Sequence, residues 1–171
     1  MAAFRLPVRG RDSALILFGQ NGELSGPNAI PNEVLVRWVS DRLGIKDFGP
    51  CVTIGVSHKG QIAAVALYNK YLHPNIEITF VVESPHWASR GAVRTILSYP
   101  FAQLGCKRIT ATINAENRKA ERFLLHLGFA KEGYHPDALP DGDAVTFGLL
   151  RKNAERWLRE KNEQTATSRA A

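Results

Sequence analysis

At 171 residues, 44% hydrophobic and 22% charged, the chain is long enough to bury a real core and has the composition of an ordinary soluble globule. No apolar stretch approaches the roughly 18 residues of a membrane span, and the opening MAAFRLPVRGRD lacks the apolar region of a secretory signal. The net charge of +6 implies attraction to something acidic, either a phosphorylated co-substrate or nucleic acid. The basic residues are spread out, with only mild clusters at 5–11, 118–122 and 151–161, which favours the co-substrate. Two cysteines, Cys51 and Cys106, show no paired spacing and read as free thiols of a reducing, cytoplasmic compartment.

Residues 12–19 read as a first strand, closed by the turn NGELSG. In PNEVLVRWVSDRLG, Leu35, Trp38, Val39 and Arg42–Leu43 share a helical face, Pro31 suits the first turn and Gly44 the stop. Three strands follow at 51–58, 61–71 and 75–83, joined by turns at Lys59–Gly60 and His73–Pro74, as in an antiparallel meander. The next helix carries Val93, Ile96, Leu97, Phe101 and Leu104 on one side, with Pro100 kinking it and Gly105 ending it. KRITATIN alternates as a strand. In NAENRKAERFLLHLGF, Ala120, Phe123, Leu124 and Leu127 make a helical stripe that Asn114 caps and Gly128 stops. Strands AKEGYHP and AVTFGLLRK, separated by the turn DALPDGD, and a helix NAERWLREK complete the pattern. The expected fold is α+β, one domain over residues 1–160 with a flexible polar tail at 161–171. Its sheet is mixed, mostly antiparallel and twisted, of about seven strands, with helices on both faces.

The stretch ITATINAENRKAERFLLHLGF resembles the second half of an acyl-CoA N-acetyltransferase of the GNAT superfamily, where a strand ends in Asn-x-x-Asn and a helix closes in Leu-Gly-Phe. Here these are Asn114, Asn117 and Leu127–Gly128–Phe129. EGYHPDALPDGDAVTFGLLRKNAERW is similar to the ending of the branch that acetylates ribosomal-protein N-termini. The turn HWASRGAVRT departs from the family's usual Arg/Gln-x-x-Gly-x-Gly/Ala and is closer to a variant associated with bacterial and phage-encoded members.

The resemblance implies acetyl-CoA as co-substrate and no metal. It implies an amine-bearing acceptor, most readily a protein or peptide, and often a homodimer. The coenzyme's pyrophosphate would sit on the N–H groups of Ser89, Arg90, Gly91, Ala92 and Val93, with Arg90 or Arg94 adding a charged contact. The thioester would meet the strand end at Phe80–Glu83, where a bulge would free backbone groups of Val81 and Val82. Asn114 would leave room for the pantetheine arm and Asn117 would bond it, unless Asn117 serves only as a cap.

Glu77, on the polar face of that strand, is the candidate base, with Glu83 and His86 nearer the turn. Leu124 stands where many relatives carry an acidic tyrosine, and Ala120 where the N-terminal acetylating branch often has serine, so Tyr134 or water becomes the leaving-group acid. Trp87 reads as packing. The same residues leave two other classes open. One is a non-catalytic acyl-CoA-binding module, favoured by Leu124 and Ala120. The other is a nucleic-acid-binding domain, which needs a basic face with interleaved aromatics, of which Phe4, Arg5, Arg9 and Arg11 are a thin version. The histidines show no metal-ligand spacing.

Overall fold

The computed structural model describes residues 14–159, which gather into two compact units, residues 14–92 and 93–159. Residues 1–13, with their basic cluster, and the tail at 160–171 lie outside the described residues.

The first unit contains β1 (Leu15–Gln20), β2 (Ala29–Pro31), α1 (Asn32–Leu43), β3 (Cys51–His58), β4 (Gln61–Leu72) and β5 (Asn75–Val82). A 3₁₀ turn follows at Pro85–Trp87, and α2 (Arg90–Ser98) begins. The strands lie in the order β2-β1-β3-β4-β5. All pair antiparallel except β1 with β2, which is parallel. β2 escapes a reading by periodicity because three residues cannot show one. It forms by lying along the edge of β1, with Phe18 opposite Ala29 and Gly19 opposite Ile30.

Strand alternation and helical spacing then converge on one core. Leu15 and Leu17 of β1, Ile30 of β2, Leu35 and Val39 of α1, and Val65 and Leu67 of β4 are buried together, with Val81 of β5 against them. Each such side chain contributes about 1.5–3 kcal/mol by leaving water. Glycine at position 19 is a steric requirement. A Cβ there would run into Thr53 Oγ1 and lie 2.6 Å from Asn32 Oδ1. Those two atoms belong to a buried bridge, in which the Thr53 hydroxyl donates to Asn32 Oδ1 at 2.6 Å and Asn32 Nδ2 donates to the Cys51 carbonyl at 3.0 Å. The bridge ties the start of α1 to β3.

The second unit contains most of α2, its continuation as a π-helix at Tyr99–Gln103, β6 (Arg108–Asn114), α3 (Arg118–Leu127), β7 (Ala130–Leu139), β8 (Gly142–Leu150) and α4 (Arg151–Leu158). Here the strand order is β6-β8-β7, all antiparallel. Pro100 disturbs the helix as expected, because proline donates no N–H. The chain widens, so that Leu104 N–H reaches the Tyr99 carbonyl at 3.1 Å and Cys106 N–H the Pro100 carbonyl at 2.9 Å. Arg151 Nη1 supplies the Phe101 carbonyl at 2.6 Å. The stretch DALPDGD is less of a turn than expected, since β7 runs on to Leu139 and β8 starts at Gly142. The irregularity is absorbed by a register shift between His135 and Leu139, where Asp137 takes a φ of 50°. The helix expected from Asn114 is capped instead by Asn117, whose side chain accepts the Ala120 N–H at 3.0 Å. Asn114 turns its own side chain to the Glu116 N–H at 2.8 Å.

The substitution Gly19→Ala is expected to lower stability by about 1–3 kcal/mol through overpacking of the Asn32–Thr53 bridge. Urea unfolding of the two proteins checks it; an unchanged midpoint would show that the bridge yields freely.

Candidate active site

β5 pairs with β4 without interruption from Glu77 opposite Asn69 to Val82 opposite Ala64, and the register shift between these strands lies at the other end, between Asn69 and Leu72. The bulge expected within Phe80–Glu83 therefore does not fall at Phe80–Val82, which stay in register with β4. The distortion comes one residue later. Glu83 N–H and Ser84 N–H both donate to the Ala63 carbonyl, at 2.9 and 3.2 Å, the two-on-one pattern of a bulge. Both groups are thus used by the protein itself. Because Glu83 N–H reaches Ala63, Val82 and Ala64 form a widely spaced pair, and the peptide groups of Phe80 and Val82 aim away from β4.

The chain then turns. Ser84 Oγ accepts the His86 N–H at 3.4 Å, and Trp87 is buried with its ring edge-on to Phe80, centroids 4.7 Å apart. Trp87 packs, as expected. His86 stacks on His58, at the end of β3, with centroids 4.7 Å apart. Ser89 Oγ accepts the Ala92 N–H at 3.1 Å and so caps α2. In the first turn that follows, Ala92 is buried and Gly91 is exposed. A Cβ on Gly91 would meet nothing nearer than Ser89 Oγ at 4.0 Å, and its φ is not in the left-handed region. Neither backbone conformation nor internal packing requires a glycine there.

The carboxylates of Glu77, in β5, and Glu83, just past its end, both form ion pairs. Glu77 lies 2.9 Å from Lys70 Nζ. Glu83 lies 2.6 Å from Arg42 Nη2. Arg42 comes from the last turn of α1, where its guanidinium sits 3.7 Å over the Trp38 ring and donates to the Trp38 carbonyl at 3.1 Å. The sequence reading placed Arg42 only on a helix face. Its partner lies 41 residues away, and no local pattern announces such a pair. The His58–His86 stack was missed for the same reason.

In the second unit, Val93 is buried. Asn114 and Asn117 sit in the turn between β6 and α3 described above. Leu124 is buried and carries no proton to give. Tyr134, on β7, is exposed and donates its hydroxyl to Asp143 Oδ2, while Asp143 Oδ1 accepts the Asp137 N–H at 2.8 Å. The bond to Asp143 pushes the Tyr134 phenol up from its ordinary range, and the same bond holds the Asp143 carboxyl down. A phenol held in this way is a poorer acid. Cys51 and Cys106 are free thiols, and burial pushes both up. Among the described residues no group of three or more His, Cys, Asp and Glu side chains is placed to hold a metal ion, and no helix is long and apolar enough to cross a membrane.

The sequence model of the family described as Acetyltransferase (GNAT) domain matches residues 6–130, and the chain belongs to that family. A Bacillus subtilis protein named "Uncharacterized N-acetyltransferase YoaA" is 36% identical over 101 residues, which are 57% of this chain and 50% of that protein. A second from the same organism, "Uncharacterized N-acetyltransferase YnaD", is 27% identical over 104 residues, 56% of this chain and 59% of its own length. The matches thus span only half to three-fifths of those proteins. Among solved structures, the ribosomal-protein-S5-alanine acetyltransferase of Vibrio fischeri superposes with a TM-score of 0.52 at 19% identity, covering 69% of this chain and 67% of that one. A Vibrio cholerae spermidine N-acetyltransferase mutant superposes at 0.57 and 13% identity, covering 85% of this chain and 96% of that one. These two likenesses establish the fold.

The Tyr134–Asp143 bond makes a pH prediction with a definite sign. In Asp143→Asn the acceptor loses its charge, so the tyrosinate form of Tyr134 is relieved of a repulsion and its titration moves down toward the ordinary phenol range. Ultraviolet difference titration of the variant against the native protein measures it, and an upward or null shift would remove Asp143 as the cause.

Proposed function

We propose that the protein is an acetyl-CoA-dependent N-acetyltransferase acting on a primary amine of a protein or peptide. The observation that carries the reading is Gly91. Glycine costs about 0.5–1 kcal/mol relative to alanine inside a helix, and Gly91 is the second residue of α2. Among the described residues, nothing would crowd a Cβ at this position. A ligand pressed against the backbone would. The first turn of α2, capped by Ser89 at the Ala92 N–H, is the positive end of a helix and is suited to a pyrophosphate, and the exposed Gly91 lets it approach.

The remaining roles follow from where the residues stand. Val82 offers peptide groups directed away from β4, which suit the amides of a pantetheine arm and the thioester oxygen. Asn117 uses its oxygen as a helix cap, so its amide hydrogens are not spent on the cap. A base must lie within hydrogen-bond reach of its proton or one water away. Glu83 adjoins Val82, whereas Glu77 is five residues up the strand, about 17 Å at strand rise. Glu83, oriented by Arg42, is therefore the base in this reading, and Glu77 is the outer carboxylate. Tyr134 keeps its proton on Asp143, so solvent is the better source of the proton that the departing thiolate takes.

The acceptor is argued from charge. Glu77 and Glu83 are already paired with cations of the same unit. A polycation such as spermidine would have to displace Lys70 or Arg42, whereas a single peptide amine would not.

Calorimetric titration of the native chain with acetyl-CoA is expected to give micromolar binding, abolished in Gly91→Glu. In Gly91→Ala, binding weakens while the unfolding free energy rises by up to about 1 kcal/mol. Native protein that ignores acetyl-CoA would overturn the reading. With a peptide acceptor, Glu83→Gln is expected to lower kcat by about 10²–10⁴-fold and Glu77→Gln by far less. The reverse order would move the base to Glu77, and faster turnover of spermidine than of peptide would reassign the acceptor.

A further inference from the structure

The charge of the chain is unevenly placed. Residues 14–92 hold six Lys and Arg against six Asp and Glu, a net charge of zero. Residues 93–159 hold eleven against seven, a net charge of +4. Several of those eleven are matched, since Arg108 pairs with Glu132, Arg118 and Lys131 with Glu121, and Arg159 with Glu155. Lys119, Arg122 and Lys152 have no acidic partner among the described residues, and all three are exposed.

Helical spacing and one contact set these cations on a common surface. Lys119, Arg122 and His126 follow at i, i+3 and i+7 along the outer side of α3, with half-exposed Leu125 beside them. The end of α3 abuts α4, because Trp157 Nε1 donates to the Leu127 carbonyl at 2.9 Å and Arg156 Nη2 donates to the His126 carbonyl. Arg156 also lies 4.8 Å over the Trp157 ring, and its i−4 neighbour on α4 is Lys152. The result is a band of positive charge interrupted by an imidazole and an apolar side chain. None of this band is required by the acetyl-transfer chemistry assigned above.

We propose that this α3–α4 face docks single-stranded RNA, held by its phosphates and with bases resting on His126 and Leu125. Cations spaced along two helices track a chain of phosphates, and a guanidinium forks onto phosphate oxygens better than onto a single charge. Aromatic and apolar groups between the cations take the faces of unpaired bases without regard to sequence. An acidic peptide would use the cations but leave the half-exposed Leu125, beside the His126 ring that packs edge-on to Trp157 at 5.7 Å, without a role, so nucleic acid is the better match. RNA is the form in which cells hold most unpaired strands.

The test is fluorescence anisotropy of a labelled mixed-sequence single-stranded RNA with the full chain at several salt concentrations. The native protein is expected to bind with a steep salt dependence. The double substitution Arg122→Glu with Lys152→Glu should weaken binding at least tenfold. The neutral pair Arg122→Gln with Lys152→Gln should reduce the slope of log K against log salt by about 1.4, at about 0.7 per phosphate contact. Lys46→Glu, a charge change in the neutral unit, should alter binding less than twofold. Acetyl-CoA affinity is expected to be unchanged in all of them, which shows the variants folded and separates this surface from the co-substrate site. RNA binding equal in the native protein and the neutral pair would overturn the proposal, as would displacement of the RNA by poly-glutamate at equal charge concentration.

Discussion

A single carbonyl governs how the first unit ends. The Ala63 oxygen accepts two successive N–H groups, from Glu83 and Ser84, and this terminates β5 and reverses the chain. Every polar group freed by the reversal then needs a new partner. Ser84 supplies one oxygen and Ser89 another, while Trp87 is driven under the turn against Phe80. α2 therefore starts at a defined point, with Gly91 exposed and Ala92 buried. A strand that simply frayed at Val82 would present neither the helix start nor the peptide groups of Val82 in a repeatable place.

The electrostatics of the two units differ in range. Within the first, cations and carboxylates are equal in number and two pairs lie at short distance, so its field decays quickly and recognition there depends on contact and shape. Arg42 shows this well. Its guanidinium is shared among the Trp38 ring, the Trp38 carbonyl and Glu83, and it orients a carboxylate without adding net charge. The second unit keeps unmatched cations on helix surfaces, where they act over about a Debye length, some 8–10 Å at physiological salt. Contact chemistry and long-range attraction are thus assigned to different parts of one chain.

Departures from ideal elements are compensated by groups distant in sequence. Pro100 deprives its helix of a donor, the backbone widens into a π-turn, and Arg151, fifty residues on, supplies the Phe101 carbonyl. The bulged β7–β8 hairpin is braced by Asp143, which binds both the Asp137 backbone and the Tyr134 hydroxyl. That bracing changes what Tyr134 is able to do. A tyrosine chosen from sequence as a proton donor already spends its proton inside the hairpin.

Most of the fold was legible in the sequence, because strand alternation and helical spacing are local properties of a chain with one buried side per element. All four helices, with Gly44 and Gly128 as stops, follow from that, as do seven of the eight strands among the described residues. β2 did not, because a three-residue strand exists only through its neighbour. The cap of α3 fell on Asn117 and not Asn114, a choice between two like residues three apart that only the path of the backbone makes. The sequence by itself determined which segments are strand and helix, and that Gly91 opens a helix among small residues. Tertiary structure decided that Glu83 is held by Arg42, that Glu77 is held by Lys70, that the bulge falls past Val82, and that His58 meets His86. The physical reason is range. Periodicity records what each residue does with its neighbours along the chain, whereas an ion pair or a stacked ring records which distant residues the folded backbone brings within a few ångströms.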